Sequence, residues 1–267
     1  MAKSEHIDSL EYLFNILLII SKETTGRETT WFGETASIIF SKIGLTTLSL
    51  LRLVPESKFY ATNEFKAWDI SSTASLCRAI IDSYLMLFYI GVDAENEDEQ
   101  ELRKAYWKYH RHFEAYRMML GNNPDSPHVE VELQHYEQSK NKLELLGAFS
   151  HLPPKRRECL LKGKAPKISS NEELCGRAGI SKNYFKPTFK YLSNYTHTSP
   201  FSIEQMDQLK MNSPETTDAF EHVALIALTF NALAIRDFII MFPDQKQNIS
   251  SRTQDLIDLW SGVVRDY

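Results

Sequence analysis

Long segments with helical periodicity dominate this sequence, and they restrict its possible folds more than any other feature. Glycine and proline number ten each in 267 residues, and they fall between these segments. Valine, isoleucine and threonine nowhere build a convincing alternating strand. We therefore predict an all-α fold, a single-domain bundle of about eight helices covering residues 1–267. The helices are expected at 5–22, 34–53, 70–92, 97–120, 129–149, 182–198, 214–242 and 252–265, with short helical turns near 171–178 and 202–210.

The composition describes a globular chain that can bury a sizeable core. Hydrophobic residues make up 43% and charged residues 24% of the sequence. The formal net charge of −5 excludes a chain that attracts nucleic acid or acidic lipid over its whole surface. Cys77, Cys159 and Cys175 are too widely spaced for a disulfide framework or a thiolate zinc site. This cysteine usage fits a reducing compartment, and we expect a cytoplasmic protein.

One apolar run, VALIALTFNALAIRDFIIMF at residues 223–242, is nearly long enough to cross a bilayer. Arg236 and Asp237 interrupt it, which favours a buried helix of a bundle. The first twenty residues carry acids and lack a small-residue cleavage site, so they indicate a helix and not a signal peptide. We expect no association with a membrane.

The third predicted helix is apolar almost all round, apart from one narrow polar strip. Arg78 and Asp82 belong to this strip, and their spacing of four residues allows them to pair. Charges on a buried helix are costly unless they are paired. One interpretation is an ion pair that fixes the helix register. The other is that Arg78 faces an internal cleft, where its planar fork of donors holds an anion such as a phosphate.

A second polar row follows the helix predicted at 182–198. Lys190, Ser193 and His197 lie on one side of it, with Asn194 beside them. Pro200 places His197 in the last turn, where the negative end of the helix dipole favours a protonated imidazole. Such a histidine is a competent general acid or base. The alternative is a solvated helix face that ends in a surface histidine.

These two patterns together carry a family resemblance that spans about residues 70–240. An Arg-x3-acid pattern on an apolar helix, followed far downstream by Ser193, His197 and Ser199, resembles an uncharacterised bacterial all-α family, the domain of unknown function numbered 5677. Tyr191 or Tyr195 takes the tyrosine position of that pattern. Asp82 stands where the family is expected to have glutamate.

More distantly, the chain is similar to the HEPN helical bundles, many of which are metal-independent ribonucleases of toxin–antitoxin and antiviral systems. In those proteins an arginine steadies the scissile phosphate, and a histidine acts as acid or base across a dimer interface. Lys190 occupies the position six intervening residues before His197, so Arg78 would supply the arginine from another helix. The resemblance implies a homodimer, RNA as a substrate and a protein partner such as an antitoxin.

Two further segments are candidates for binding. The connection at 151–181 is expected to be irregular and basic, and it would contact a phosphate backbone through Lys155, Arg156, Arg157, Lys162 and Lys164. A solvated charged loop is the alternative. His110 and Glu114 share a helix face at metal-ligand spacing, but no third ligand is evident from the sequence, and His112 points elsewhere. We therefore expect no metal and no cofactor.

The leading hypothesis from the sequence is a bacterial defence or toxin-type protein that acts on RNA or another phosphate ester without a metal. Arg78 would hold the anion and Asp82 would orient Arg78. His197 would act as general acid–base, and Ser193, Asn194 and Lys190 would position groups around it. The alternative is a non-catalytic sensor or partner-binding subunit of a defence or toxin–antitoxin system.

Overall fold

The structure, a computed structural model, describes residues 4–60, 68–210 and 213–265, which form helices joined by turns and loops. No strand occurs within these ranges, which confirms the prediction of an all-α protein. The helices are α1 (Glu5–Thr24), α2 (Trp31–Leu51), α3 (Ile70–Gly91), α4 (Glu97–Asn122), α5 (Pro127–Glu144), α6 (Gly147–Ser150), α7 (Pro154–Leu161), α8 (Asn171–Arg177), α9 (Lys182–Thr196), α10 (Pro200–Gln208), α11 (Pro214–Met241), a 3₁₀ helix (Pro243–Asn248) and α12 (Ser251–Gly262).

Side-chain caps fix where the long helices begin. Thr30, Asp69, Asn96 and Ser213 each accept a hydrogen bond from a backbone N–H in the first turn of α2, α3, α4 and α11, respectively. Each bond satisfies a donor that the helix itself leaves unpaired. Because such caps can be recognised in the sequence, the predicted starts of the long helices agree with the structure to within a few residues.

Two predicted features differ from the structure. The helix expected at 129–149 ends at Glu144, because Leu146 is extended (φ −71°, ψ 127°), and a short helix restarts at Gly147. The connection expected to be irregular at 151–181 contains α7, which begins with Pro154 in its first turn, a favourable position for proline. Because α7 is short and polar, it shows little apolar periodicity, and its buried residue is Leu160.

The chain divides into two compact units, residues 1–93 with 171–267, and residues 94–170. In the first unit, α11 runs through the core and packs against α1, α2, α3 and α12. Phe40 and Phe238 stack with ring centroids 4.0 Å apart. Asp237, one of the charges that interrupt the apolar run, accepts hydrogen bonds from Tyr84 Oη at 2.9 Å and Arg236 Nε at 2.7 Å. This buried network is how the core helix accommodates its charges.

The second unit is built on the hairpin of α4 and α5, with α6 and α7 following. Its buried cluster comprises Leu102, Tyr106, Tyr109, Leu143, Phe149 and Leu160. Tyr109 donates a hydrogen bond to the carbonyl of Leu161 at 2.6 Å, which holds the end of α7 to α4. Gly163 has a φ of +61°, and a Cβ there would lie 2.0 Å from Cε1 of Phe113, so glycine is required on both grounds.

Two helices, α3 and α11, are long and apolar enough to cross a membrane by length and composition alone. Of the most apolar 18-residue stretch in each helix, 61% is buried inside the protein in α3 and 83% in α11. Core helices of a soluble bundle have the same properties, so length and composition do not separate the two possibilities. The expected cytoplasmic location and absence of a membrane stay predictions.

Candidate functional site

The predicted pair on α3 is formed, and it reaches the surface. Arg78 Nε lies 3.6 Å from Asp82 Oδ2, with 20% of the arginine side chain and 45% of the aspartate side chain exposed. That separation is an ion-pair distance and is too long for a hydrogen bond. Because half of the Asp82 side chain is open to water, this is not the fully buried pair that would act only to fix the helix register.

Arg78 extends from α3 onto α9, where it contacts Phe189, a residue next to the predicted polar row. The guanidinium carbon lies 4.0 Å from the ring centroid of Phe189. Stacking of this kind favours arginine, whose planar cation is attracted to the face of an aromatic ring. Arg78 Nε is buried and has no hydrogen-bond partner in the structure. The stacked guanidinium therefore keeps donor capacity for a further group.

The polar row of α9 begins next to the contact between Arg78 and Phe189 and continues toward the C-terminal end of the helix. Ser193 follows Phe189 by one turn, and its hydroxyl donates to the Phe189 carbonyl at 2.5 Å. Lys190 and His197 are exposed. Since His197 is eight residues beyond Phe189, the two lie roughly 12 Å apart along the helix axis. Among the described residues, no hydrogen bond or ion pair links Arg78 to His197.

The backbone after His197 adopts an unusual conformation. His197 is the C-terminal cap of α9, and Thr198 has a φ of +50°. The Ser199 N–H donates to the Asn194 carbonyl at 3.0 Å, and the Thr198 N–H donates to the Tyr195 carbonyl at 3.3 Å. This is the left-handed helix ending usually made by glycine. A β-branched residue is costly there, and such strain often marks a functional site.

The turn is held in place by the next helix. Ser199 is extended and caps α10, where its hydroxyl accepts from the Ser202 N–H. The buried hydroxyl of Ser202 in turn donates to the Asn194 carbonyl at 3.0 Å. The stretch 191–200 therefore closes one helix and opens the next, and His197 projects from the junction.

A tyrosine pair lies behind the polar row, together with a histidine that the sequence analysis missed. Tyr191 makes edge-to-face contacts with Tyr195 and with His222 of α11, both at 5.3 Å between centroids. Tyr195 donates to Gln205 Oε1 at 2.8 Å. Burial raises the pKa of Tyr191 and of Tyr195, so both stay neutral hydrogen-bonding groups. His222 directly precedes an apolar run and belongs to no polar pattern in the sequence. Only its contact with Tyr191 in the structure marks it as part of the candidate site.

The predicted basic segment lies in the second unit and is largely helical. Lys155 and Lys164 are exposed, and Arg156 and Arg157 are half-buried. Lys162 forms an ion pair with Glu158, which offsets its charge. Arg157 Nε is buried without a hydrogen-bond partner. The segment therefore keeps several cationic side chains at the surface of its unit, while the predicted catalytic residues belong to the first unit.

The pair His110 and Glu114 gains no third ligand in the structure. Burial lowers the pKa of His110, and Glu114 pairs with Arg117 at 3.3 Å. The neighbouring His112 does gain partners, Glu132 and His135 of α5, which the sequence analysis did not foresee. Spacing along the chain reveals ligand pairs within one helix and gives no information on the facing helix.

An open cavity of about 770 Å³ lies elsewhere in the first unit, between the end of α1 and the start of α2. Arg27, Glu34 and Lys42 are among the residues that line it. None of the predicted site residues lines this cavity. We assign the candidate site to the part of α9 that runs from the contact with Arg78 of α3, at Phe189, to the strained helix ending at Thr198.

The fold and the two polar rows define an all-helical protein with a partly exposed arginine–aspartate pair facing a histidine-bearing helix. A family model matches residues 63–215, more than half of the chain, and its description is a family of unknown function, DUF5677. The chain belongs to that family. No curated protein and no solved structure matches the chain.

Proposed function

We propose that this protein acts on RNA or another phosphate ester by acid–base chemistry at the contact of α3 with α9, as a HEPN-like bundle of a bacterial defence or toxin–antitoxin system. In this proposal, Arg78 holds the phosphate and Asp82 orients the guanidinium. His197 exchanges the proton, and Ser193, Asn194 and Lys190 position or attract the substrate.

The observation that carries this proposal is the state of Arg78. Its guanidinium is fixed against Phe189 at 4.0 Å, and its Nε has no hydrogen-bond partner. The Asp82 carboxylate, at 3.6 Å, balances the charge without forming a hydrogen bond with Nε. In this proposal the anion contacts the accessible part of the guanidinium, since 20% of the Arg78 side chain is exposed although Nε is buried, and a phosphate matches the planar geometry of the donors.

His197 has the environment expected of an acid–base group. It is exposed at the C-terminal end of α9. Its neighbour Thr198 is held at positive φ by two backbone hydrogen bonds, so the histidine sits on a defined turn. A solvent-accessible imidazole on a fixed turn can take and return a proton.

The separation along α9 favours an extended substrate. Roughly two helical turns, about 12 Å, lie between Phe189 and His197. A small phosphate monoester on Arg78 would not reach His197 without movement of the side chains. A nucleic acid strand carries a phosphate at every nucleotide, so it could contact both ends of the row. Lys190 adds an exposed positive charge along this path.

The second candidate function is non-catalytic binding of an anionic ligand or a protein partner by the same surface. The hydroxyl of Ser193 donates to its own helix, which leaves no proton on it for chemistry in this conformation. This bond, with the roughly 12 Å between Phe189 and His197 along α9, is the observation in favour of a sensor or partner-binding subunit.

Cleavage of total RNA by the purified full chain, in buffer containing EDTA, tests the proposal. We expect cleavage that His197→Ala abolishes and that Arg78→Lys weakens, because lysine keeps the charge and loses the fork. The matched control is His128→Ala, another exposed histidine, which should leave cleavage unchanged. RNA that binds but is not cut would support the second candidate. Cleavage that survives His197→Ala would refute the assignment of the acid–base group.

We further propose a cytoplasmic homodimer, since the HEPN ribonucleases that the sequence resembles share catalytic residues across two subunits. Light scattering coupled to size exclusion tests this directly. A mass near that of a single 30.9 kDa chain at micromolar concentration would contradict it.

A further inference from the structure

Three side chains with metal-ligating atoms meet between the facing helices of the second unit. His112 lies on α4, and Glu132 and His135 lie one turn apart on α5. Each residue offers one ligand atom, and these atoms all lie within 4.8 Å of one another. The Glu132 carboxylate is central, because its Oε2 is 2.9 Å from His112 Nδ1 and its Oε1 is 3.9 Å from His135 Nδ1.

The helices that carry these residues are locked together by aromatic side chains next to the ligand positions. Phe113 follows His112 and Tyr136 follows His135, and their rings are 5.8 Å apart. Tyr136 also contacts the rings of Tyr109 and Tyr116, at 5.7 and 5.9 Å. This packing fixes the register of α4 against α5. The three ligand atoms therefore converge on rigid elements, as a metal site requires.

The distances match a small transition-metal ion. A tetrahedral zinc with bonds of about 2.0–2.2 Å to nitrogen and oxygen places its ligand atoms roughly 3.4 Å apart. The separations from Glu132, 2.9 Å at Oε2 and 3.9 Å at Oε1, lie on either side of that value, and with one ligand atom for each residue all separations are within 4.8 Å. Small rotations of the side chains would bring all three atoms into the first coordination sphere. A glutamate and a histidine three residues apart on one helix, facing a ligand on another, is an arrangement that helical bundles use for metals.

Charge and exposure also suit a dication. Two neutral imidazoles and one carboxylate give the cluster a net charge of −1. The side chains of His112 and Glu132 are 17% and 15% exposed, whereas that of His135 is 48% exposed. The open side at His135 leaves room for a water molecule as the fourth ligand.

We propose that the hairpin of α4 and α5 binds one Zn²⁺ ion through His112, Glu132 and His135, with water in the fourth position. Two histidines, one glutamate and a water form the ligand set of zinc sites that keep an open position for chemistry. Zinc is favoured over magnesium or calcium, because imidazole nitrogen suits late transition metals and hard cations prefer oxygen. This site lies beyond the proposed function, which uses residues of the first unit.

The test is a calorimetric titration of the full chain with ZnCl₂ at neutral pH, after the protein has been stripped with EDTA and dialysed. We expect one Zn²⁺ per chain. Glu132→Gln and His135→Ala should each weaken binding by about 100-fold or more, since loss of an outer-shell partner alone costs about 10- to 100-fold. His151→Ala is the matched control, because it removes an exposed histidine of the same unit and should leave the affinity unchanged.

Cobalt provides an independent readout of the coordination. Co²⁺ in place of Zn²⁺ should give the visible absorption of a four-coordinate ion in the wild-type chain, and this absorption should be lost in His112→Ala. Circular dichroism confirms that each variant is folded, and His135→Ala, at a half-exposed position, is the variant that least disturbs packing.

Zinc affinity that is unchanged in Glu132→Gln and His135→Ala would overturn the proposal, as would an equal loss in His151→Ala. Absence of zinc binding by the wild-type chain would overturn it as well. Failure here is distinguishable from failure of the proposed function, because His197→Ala should bind zinc like the wild type and RNA cleavage is measured in EDTA.

Discussion

Replacement of Arg78 by alanine separates a structural role of this residue from a functional one. The substitution removes a cation–π contact with Phe189 and an ion pair with Asp82. A cation–π contact is worth about 0.5–1 kcal/mol at exposed sites and about 2 kcal/mol when desolvated. An ion pair whose carboxylate is 45% exposed contributes about 0–1 kcal/mol. We therefore expect Arg78→Ala to lower the free energy of unfolding by about 1–2 kcal/mol.

Thermal melting followed by circular dichroism measures this cost. A loss of 1–2 kcal/mol corresponds to a fall of about 2–8 °C in Tm for a chain of this size. Phe189→Leu, which removes the ring and keeps the ion pair, should account for about half of the change. Binding of phosphate-containing ligands should fall much more than the melting temperature indicates, because the donors of Arg78 are lost entirely.

Asp237→Asn provides the comparison for a truly buried charge. The Asp237 side chain is 2% exposed and accepts hydrogen bonds from Tyr84 and Arg236. Removing its charge leaves Arg236, whose side chain is 21% exposed, without its counter-ion, and breaking a fully buried pair costs about 3–5 kcal/mol. If Arg78→Ala proves as destabilising as Asp237→Asn, Arg78 is primarily structural, and the anion-binding argument is refuted.

Three further predictions concern the packing of each unit. Gly163→Ala should lower Tm sharply, since its positive φ and the clash with Phe113 each cost about 1–3 kcal/mol, and an unchanged Tm would contradict the described turn. Mass spectrometry after brief alkylation of the native protein should find Cys159 labelled before Cys77, because burial raises the pKa of the Cys77 thiol and removes it from solvent. Burial also raises the pKa of Tyr84, so the contribution of this residue to the free energy of unfolding should be fully present below the ordinary tyrosine pKa of about 10 and should decrease as the pH rises above it. Urea midpoints that stay constant up to pH 11 would contradict this.

The sequence by itself determined the class of fold and the position of the long helices. Helix α3, predicted at 70–92, runs from Ile70 to Gly91, and α4 begins at Glu97 as predicted. Periodicity, capping residues and prolines act within one or two turns, so they can be interpreted without knowledge of the fold. Helix α7 was not predicted, because it has no periodic apolar pattern. The burial of Leu160 in the core of its unit stabilises it instead.

The candidate site was only partly accessible to sequence reasoning. The pairing of Arg78 with Asp82 follows from their spacing on one helix, and the structure contains it. The contact of Arg78 with Phe189 joins positions more than a hundred residues apart, and the meeting of His112 with Glu132 and His135 joins two facing helices. Such contacts depend on how the helices pack against one another, and the periodicity of a single sequence does not predict this packing. Local sequence features therefore determined where the helices form, and tertiary packing determined which of their side chains face one another.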